Sequence, residues 1–235
     1  MLTVAILAGG RATRLLPVTE NIPKSLIEVN GKPFIVHQLG LLRASGIRRV
    51  VLCVGHLGSM IQDAIEDGSS FGLQVDYSFD GATILGTAGA VKNALAKLGE
   101  SFFVMYGDSY LPCDYEAIAR NFESAEGLGM MTVFRNDGRW DASNVELEGG
   151  KIVAYSKTDR TPRMHYIDYG LGVFRAQAFA NVPGGPAYDL ESVYKDLLRH
   201  NQLAAFEVRE RFYEIGSPAG LRETARYLAA RKGSE

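Results

Sequence analysis

The sequence predicts an α/β fold, a doubly wound and mainly parallel sheet with helices layered on both faces. Three observations carry this prediction. Short unbroken apolar runs stop at glycine or polar residues, as strands buried on both faces do. Segments with apolar residues at helical spacing separate those runs. The two kinds alternate through the first half of the chain, which calls for right-handed crossovers between parallel strands.

Taken in order, "TVAILAG" (3–9) is a strand buried on both faces. "FIVHQLGLLRASG" (34–46) repeats its apolar positions with a helical period and stops at Gly46, a residue suited to a helix C-terminus. "RRVVLCVG" (48–55) is the next strand, "MIQDAIEDG" (60–68) a helix, "LQVDYSF" (73–79) a strand, "TAGAVKNALAKLG" (87–99) a helix and "SFFVMYGD" (101–108) a strand. After about residue 128 the rhythm changes. "GMMTVFRN" (129–136), "SNVELEGGKIVAYSK" (143–157) and "YIDYGLGVFR" (166–175) are strand-like and joined by short turns, "EGGK" (148–151) being the clearest hairpin. These strands either extend the same sheet or cover its open end. "SPAGLRETARYLAARK" (217–232) opens on Ser-Pro, keeps a helical period and finishes basic, which marks a C-terminal helix. No linker rich in Pro, Gly or Ser, no internal repeat and no low-complexity tract divides the chain, so one domain is expected.

A chain of 235 residues, 46% hydrophobic, can fill a sizeable core. Its 25 basic and 27 acidic residues leave a formal net charge of -2 and are spread along the chain, so nucleic acid is not an expected partner. No apolar segment reaches the roughly 20 residues that cross a bilayer, and the N-terminus lacks the pattern of a signal peptide. A cytoplasmic protein without membrane contact is expected. Cys53 and Cys113 have no cysteine at metal or redox spacing and are expected to be buried thiols in a reducing compartment. His37, His56, His165 and His200 are scattered without metal spacing and are assigned no catalytic role.

The richest stretch follows the first strand. Ligands of an open parallel sheet gather beyond the carboxyl ends of its strands, and Gly9 and Gly10 lie there with no side chain to keep a ligand from their N–H groups. Phosphate suits such a loop, although a glycine turn needed only to leave the strand would look the same. Arg14 and Lys24 add cations that fork onto or neutralise phosphate oxygens. Two familiar phosphate loops do not fit. The dinucleotide fingerprint needs G-x-G-x-x-G where this loop has G-G-R-A-T-R, and the Walker type needs a Gly-Lys-Ser/Thr that is absent.

"LAGGRATRLLPVTENIPKSLIEVNGKP" (7–33) resembles the signature of the sugar-1-phosphate nucleotidyltransferases, which runs Gly-Gly, a small residue, Thr-Arg-Leu, Pro-x-Thr and then Pro-Lys. The similarity continues in family order through "LGTAGAV" (85–91), "YGDS" (106–109), "YSKTD" (155–159), "YIDYGLGVF" (166–174) and "FYEIGSPAGL" (212–221). The resemblance implies a Rossmann-like, three-layer fold of the nucleotide-diphospho-sugar transferase type, with residues 1–127 as the nucleotide-binding half and 128–235 as the sugar-phosphate-binding half that ends in the helix. It implies NTP and a sugar 1-phosphate as ligands, Mg²⁺ as cofactor, and room for a homodimer. The backbone and neighbours of Leu7, Ala8, Gly9, Gly10, Arg11, Ala12 and Thr13 would hold the nucleotide phosphates, with Gly107 beside them. Gly86, Thr87 and Ala88 would line the nucleoside pocket, Thr87 being equally suited to cap a helix. Arg14 would meet charge on the departing pyrophosphate, and Lys24 would bridge the α-phosphate and the acceptor phosphate. Asp108 and Glu214 would ligate the metal, and Lys157 would bind the sugar phosphate while Asn144, Asp168 and Gly170 face the sugar.

This chain departs from the family pattern at three places. Ser156 stands where a Glu commonly precedes the lysine, Asp168 replaces a common Asn, and Glu214 replaces a common Asp. The first two bear on which sugar is accepted, because a site built for particular hydroxyls rejects sugars that lack them. No hexapeptide repeat follows residue 221. The length resembles compact bacterial members that act on heptose 1-phosphate with GTP or on N-acetylmuramate 1-phosphate with UTP, and the expectation leans to guanylyl transfer. Uridylyl transfer, cytidylyl transfer to a non-sugar phosphate and a non-catalytic nucleotide-sugar sensor are the competing readings. Trp140, the single tryptophan, falls in a turn-rich stretch, where it either packs or stacks on a ligand.

Overall fold

A computed structural model describes residues 1–10, 21–185 and 187–232. Its elements are β1 (Thr3–Leu7), β2 (Glu28–Val29), β3 (Lys32–Pro33), α1 (Phe34–Ala44), β4 (Arg49–Val54), α2 (Gly58–Ile65), β5 (Gln74–Phe79), α3 (Gly86–Leu98), β6 (Ser101–Tyr106), β7 (Ser109–Tyr110), α4 (Tyr115–Ser124), β8 (Gly129–Arg135), β9 (Val145–Glu148), β10 (Lys151–Tyr155), β11 (Tyr166–Arg175), α5 (Leu190–Arg199), β12 (Leu203–Val208), β13 (Tyr213–Glu214) and α6 (Pro218–Lys232). One nine-stranded sheet runs through both halves. β5, β4, β1 and β6 lie side by side and parallel. β11 then joins β6 antiparallel, β8 follows antiparallel to β11, and β12 closes that side parallel to β8.

The strands carry apolar residues on both faces because both faces are covered. Val4 and Ile6 of β1, Val50, Leu52 and Val54 of β4, and Phe103 and Met105 of β6 pack with α1, α2 and α4. The alternate residues Ala5, Val51, Cys53, Phe102 and Val104 pack with α3 and α5 on the opposite face. The result is the expected three-layer sandwich. α6 stands apart from both cores, with Leu228 against Ile27, Val29, Phe34, Tyr110 and Ile215.

Local signals in the sequence end the elements where expected. Gly46 takes a left-handed φ of 83° beyond α1, and the N–H of Ile47 returns to Leu42 O at 3.0 Å, closing the helix. Gly149 and Gly150 both have positive φ, the requirement of a tight two-residue turn between β9 and β10. Ser217 Oγ accepts the Gly220 N–H at 3.0 Å, capping α6 ahead of Pro218. β8 to β12 extend the sheet, whereas β13 pairs with β7 apart from it.

Besides the two-residue strands β2, β3, β7 and β13, two helices and a longer strand arise in segments to which the apolar pattern alone assigned no element. α4 begins at Asp114, whose carboxylate accepts the Ala117 N–H at 2.9 Å, and buries only Tyr115, Ile118, Ala119 and Phe122. α5 likewise buries one stripe, Leu190, Val193, Tyr194 and Leu197. β12 is half-buried along most of its length and owes its place to pairing with β8. Trp140 is 46% exposed and carries Arg211 over its ring, the guanidinium carbon 3.4 Å from the ring centroid, with Arg211 held by Glu223 of α6 at 2.5 Å. Among the described residues no helix is long and apolar enough to cross a membrane.

Both cysteines are free, Cys53 buried and Cys113 only half-buried, a correction to the expectation that both are buried. Burial pushes each thiol up to about 12, the neighbouring Asp80 adding to the effect at Cys53. The thiolate is the reactive form, so neither thiol is expected to titrate with a disulfide reagent at pH 8 while the protein is folded, and both should titrate in guanidinium. Fast reaction of the folded protein would overturn this.

Candidate active site

β1 and β6 are neighbours in the sheet, yet the chain winds from β1 outward to β4 and β5 before returning to β6 on the other side. This reversal opens a crevice beyond their carboxyl ends. Leu7 and Tyr106 are paired there, and the Gly107 N–H donates to Leu7 O at 2.9 Å. A Cβ on Gly107 would lie 2.7 Å from that oxygen and 3.2 Å from Ala8 Cα, so glycine lets the two strand ends touch. The cavity at this point is lined by Leu7, Ala8, Gly9, Gly10, Lys24, Gly86, Thr87, Gly107 and Asp108, all expected from the sequence. Arg11, Ala12, Thr13 and Arg14 lie outside the described residues.

Lys24 opens a short 3-10 turn, and its Nζ stands 2.6 Å from Asp108 Oδ2. Glu214 arrives from far along the chain. β13 pairs antiparallel with β7, setting Glu214 opposite Ser109, and the Ile215 N–H donates to Asp108 O at 2.9 Å. A Cβ placed on Gly216 would be 3.5 Å from Lys24 Nζ, 3.6 Å from Glu214 Oε1 and 3.7 Å from Asp108 Oδ2. Two carboxylates and one ammonium therefore converge on a single point that a larger residue would fill. Hard carboxylate oxygens in this number suit Mg²⁺, which commonly takes one or two protein carboxylates and completes its shell with water and phosphate. Among the described residues no group of three His, Cys, Asp or Glu side chains gathers as a metal cage.

On the opposite wall α3 starts at Gly86, whose φ is 73° and whose Cβ would meet Tyr188 N and O at 2.7 Å. The N–H groups of Ala88 and Gly89 donate to Tyr188 O, so that carbonyl occupies the first turn of the helix. Ala88 is fully buried beneath the wall and is not among the lining residues. Thr87 does not cap its own helix. Its Oγ1 accepts the Leu190 N–H at 2.7 Å and faces Asp189 Oδ1 at 3.4 Å, tying α3 to the start of α5.

The residues expected to face the sugar form a second group. β11 bulges against β8 between Asp168 and Gly172, with Gly170 at a φ of 94°. Asp168 shapes this bend, because its Oδ1 accepts the Gly170 N–H at 3.0 Å and its own N–H donates to Asn144 Oδ1 at 2.9 Å. Tyr155 donates to Asp168 Oδ2 at 3.2 Å. Burial raises the Asp168 carboxyl above its ordinary range, opposed by Lys157, the Gly170 N–H and the Tyr155 hydroxyl. Ser156 Oγ accepts the N–H groups of Thr158 and Asp159 in a tight turn, and Glu191 of α5 takes the Lys157 N–H at 3.1 Å, so the carboxylate beside Lys157 comes from α5. Asn144, Lys157, Asp168 and Gly170 do not line the cavity themselves; Lys157 meets it at Tyr106, whose hydroxyl is 3.2 Å from its Nζ.

Several lining residues carried no family signal. Asp189 is one of them, and so is Asp80, which follows β5 and borders both Gly9 and Gly55; Tyr106 also lines the cavity and belongs to the YGDS stretch, where no role was assigned to it. Asp80 Oδ1 is buried without a hydrogen-bond partner among the described residues, and burial raises its carboxyl against the opposing Leu85 N–H. Its position at the carboxyl end of a parallel strand was the available clue.

Residues 3–143 match the family model described as nucleotidyl transferase. The chain is 30% identical to N-acetylmuramate alpha-1-phosphate uridylyltransferase of Neisseria meningitidis, over 97% of this chain and 98% of that relative. It is 26% identical to mannose-1-phosphate guanyltransferase beta-B of Xenopus laevis, over 91% of this chain but only 61% of that longer protein. Among solved structures, HddC from Yersinia pseudotuberculosis complexed with GMP-PN superposes with a TM-score of 0.80 at 24% identity, covering 97% of this chain and all of that one.

Proposed function

The chain belongs to the nucleotidyl transferase family and is an enzyme of its sugar-1-phosphate class; from that premise we propose that it transfers GMP from GTP to a heptose or hexose 1-phosphate, with pyrophosphate as the second product. An oxygen of the sugar phosphate attacks the α-phosphorus, the bond to the β-phosphate oxygen breaks, and pyrophosphate carries away the electron pair. Such a reaction asks the protein for alignment and charge neutralisation more than for covalent chemistry.

The observation that carries the reading is the convergence of Lys24 Nζ, Asp108 Oδ2 and Glu214 Oε1 beside the Gly9–Gly10 loop. In this reading Asp108 and Glu214 hold Mg²⁺, which when bound draws charge from the phosphate oxygens. Lys24, which lines the same cavity, bridges the α-phosphate and the incoming phosphate in this reading. Gly9 and Gly10 let the triphosphate approach the backbone, and the sequence resemblance assigns Arg11, Ala12 and Thr13 to the nucleotide phosphates and Arg14 to the departing pyrophosphate. Gly86 and Thr87 receive the nucleoside, with Ala88 as packing behind them. Lys157 takes the acceptor phosphate, and Asn144, Asp168 and Gly170 shape the sugar side.

Asp80 supports the choice of donor. An ionised carboxylate only accepts hydrogen bonds, and guanine is the base whose edge offers two adjacent donors, N1–H and the 2-amino group. Pyrophosphate release measured with Mg²⁺ over four NTPs and the 1-phosphates of mannose, glucose, D-glycero-D-manno-heptose and N-acetylmuramate tests the reading. GTP with heptose or mannose 1-phosphate is expected to be fastest. UTP as the best donor would overturn the guanylyl assignment and keep the class, whereas silence across the grid would overturn the transferase reading.

A further inference from the structure

We infer that Tyr106 is a second ligand of the acceptor phosphate, working beside Lys157; the inference rests on the transferase reading and deepens it. Tyr106 ends β6 and lines the cavity immediately before Gly107 and Asp108. Lys157 comes from the segment between β10 and β11, and its Nζ stands 3.2 Å from the Tyr106 hydroxyl and 5.3 Å from the ring centroid. An ammonium can only donate, so Lys157 occupies a lone pair of the phenol oxygen and leaves the phenol hydrogen for another acceptor. A hydroxyl donor and an ammonium thus sit side by side where the cavity meets the Asp168–Gly170 bulge, a Cβ on Gly170 lying 3.6 Å from the Tyr106 ring.

A phosphate monoester fits this pair. Its several oxygens accept from both donors at once, and its charge favours the ammonium. The pair is also held in place before any ligand arrives. Glu191 takes the Lys157 N–H, and the Ser156 turn orients the segment, while Gln38 binds the Tyr106 carbonyl at 3.2 Å.

Tyr106→Phe keeps the ring and deletes the hydroxyl. With the fastest of the four sugar 1-phosphates as acceptor, the variant is expected to raise the acceptor KM about tenfold while the NTP KM stays within about twofold. Lys157→Met should also raise the acceptor KM, and the double variant should raise it by less than the product of the single effects, as for two groups sharing one ligand. An acceptor KM within about twofold of wild type in Tyr106→Phe, or an equal rise in both KM values, would overturn the inference while the wild-type activity keeps the transferase reading intact. A wild type that is silent over the whole grid would remove both.

Discussion

Asp108→Ala is expected to lower kcat/KM by at least about 10³-fold, roughly 4 kcal/mol of transition-state stabilisation, with little change in thermal stability. The two parts of this expectation have different causes. Asp108 supplies one of the two carboxylates that converge beside Lys24, so under the proposed assignment its loss would leave Glu214 as the one carboxylate to hold the cation that balances the phosphate charge. Its ion pair with Lys24 contributes little to folding, because the two side chains keep 30% and 20% of their exposure and partly solvated pairs are worth about 1 kcal/mol or less. Asp108→Asn retains the shape and a hydrogen bond to Lys24 but removes the charge, and should be nearly as inactive. Activity within about tenfold of wild type in either variant would sink the metal assignment. A large fall in Tm would recast Asp108 as a structural residue.

Gly86→Ala is expected to damage both stability and nucleotide binding. The left-handed φ of 73° costs an alanine about 1–2 kcal/mol, and the new methyl would meet Tyr188 N and O at 2.7 Å. Those atoms are backbone, and both are engaged, Tyr188 N–H with Leu85 O and Tyr188 O with the first turn of α3. The methyl cannot be accommodated by a rotamer change, and overpacking of this kind adds typically about 1–3 kcal/mol. For a protein of this length the sum corresponds to a Tm lower by roughly 5–15 °C. Displacing Tyr188 also moves Thr87 and the start of α5, so the KM for NTP should rise more than the KM for the acceptor. A variant with wild-type Tm and wild-type NTP KM would show that the junction between α3 and the 185–190 segment yields easily.

How far the sequence leads depends on how local each feature is. Glycine pairs, Pro-Lys and Gly-Asp at strand ends are signals within a few residues, and the structure brings Gly9, Gly10, Lys24, Gly107 and Asp108 to one cavity. The hairpin at Gly149 and Gly150 and the Ser217 cap were legible for the same reason. α4 and α5 were not assigned because each offers only a narrow apolar stripe among charged residues, and β12 depends on a partner strand more than on its own pattern. Thr87 suited a helix cap from its neighbours alone, yet its hydroxyl serves Leu190 from another helix.

By itself the sequence determined the layered α/β architecture, the alternation of the long strands and helices from β1 to β6 and the strand end at which phosphate chemistry is to be sought. Hydrophobic period and turn chemistry are properties of short segments, and burial acts on them in the same way wherever they occur. The tertiary structure alone decided that Glu214 stands beside Asp108, that Glu191 flanks Lys157, that Asp80 borders the Gly9 loop, and that Tyr106 joins Lys157 to the cavity. Each of these contacts links residues far apart in the chain through strand pairing or helix packing, and no local propensity carries the register on which they depend.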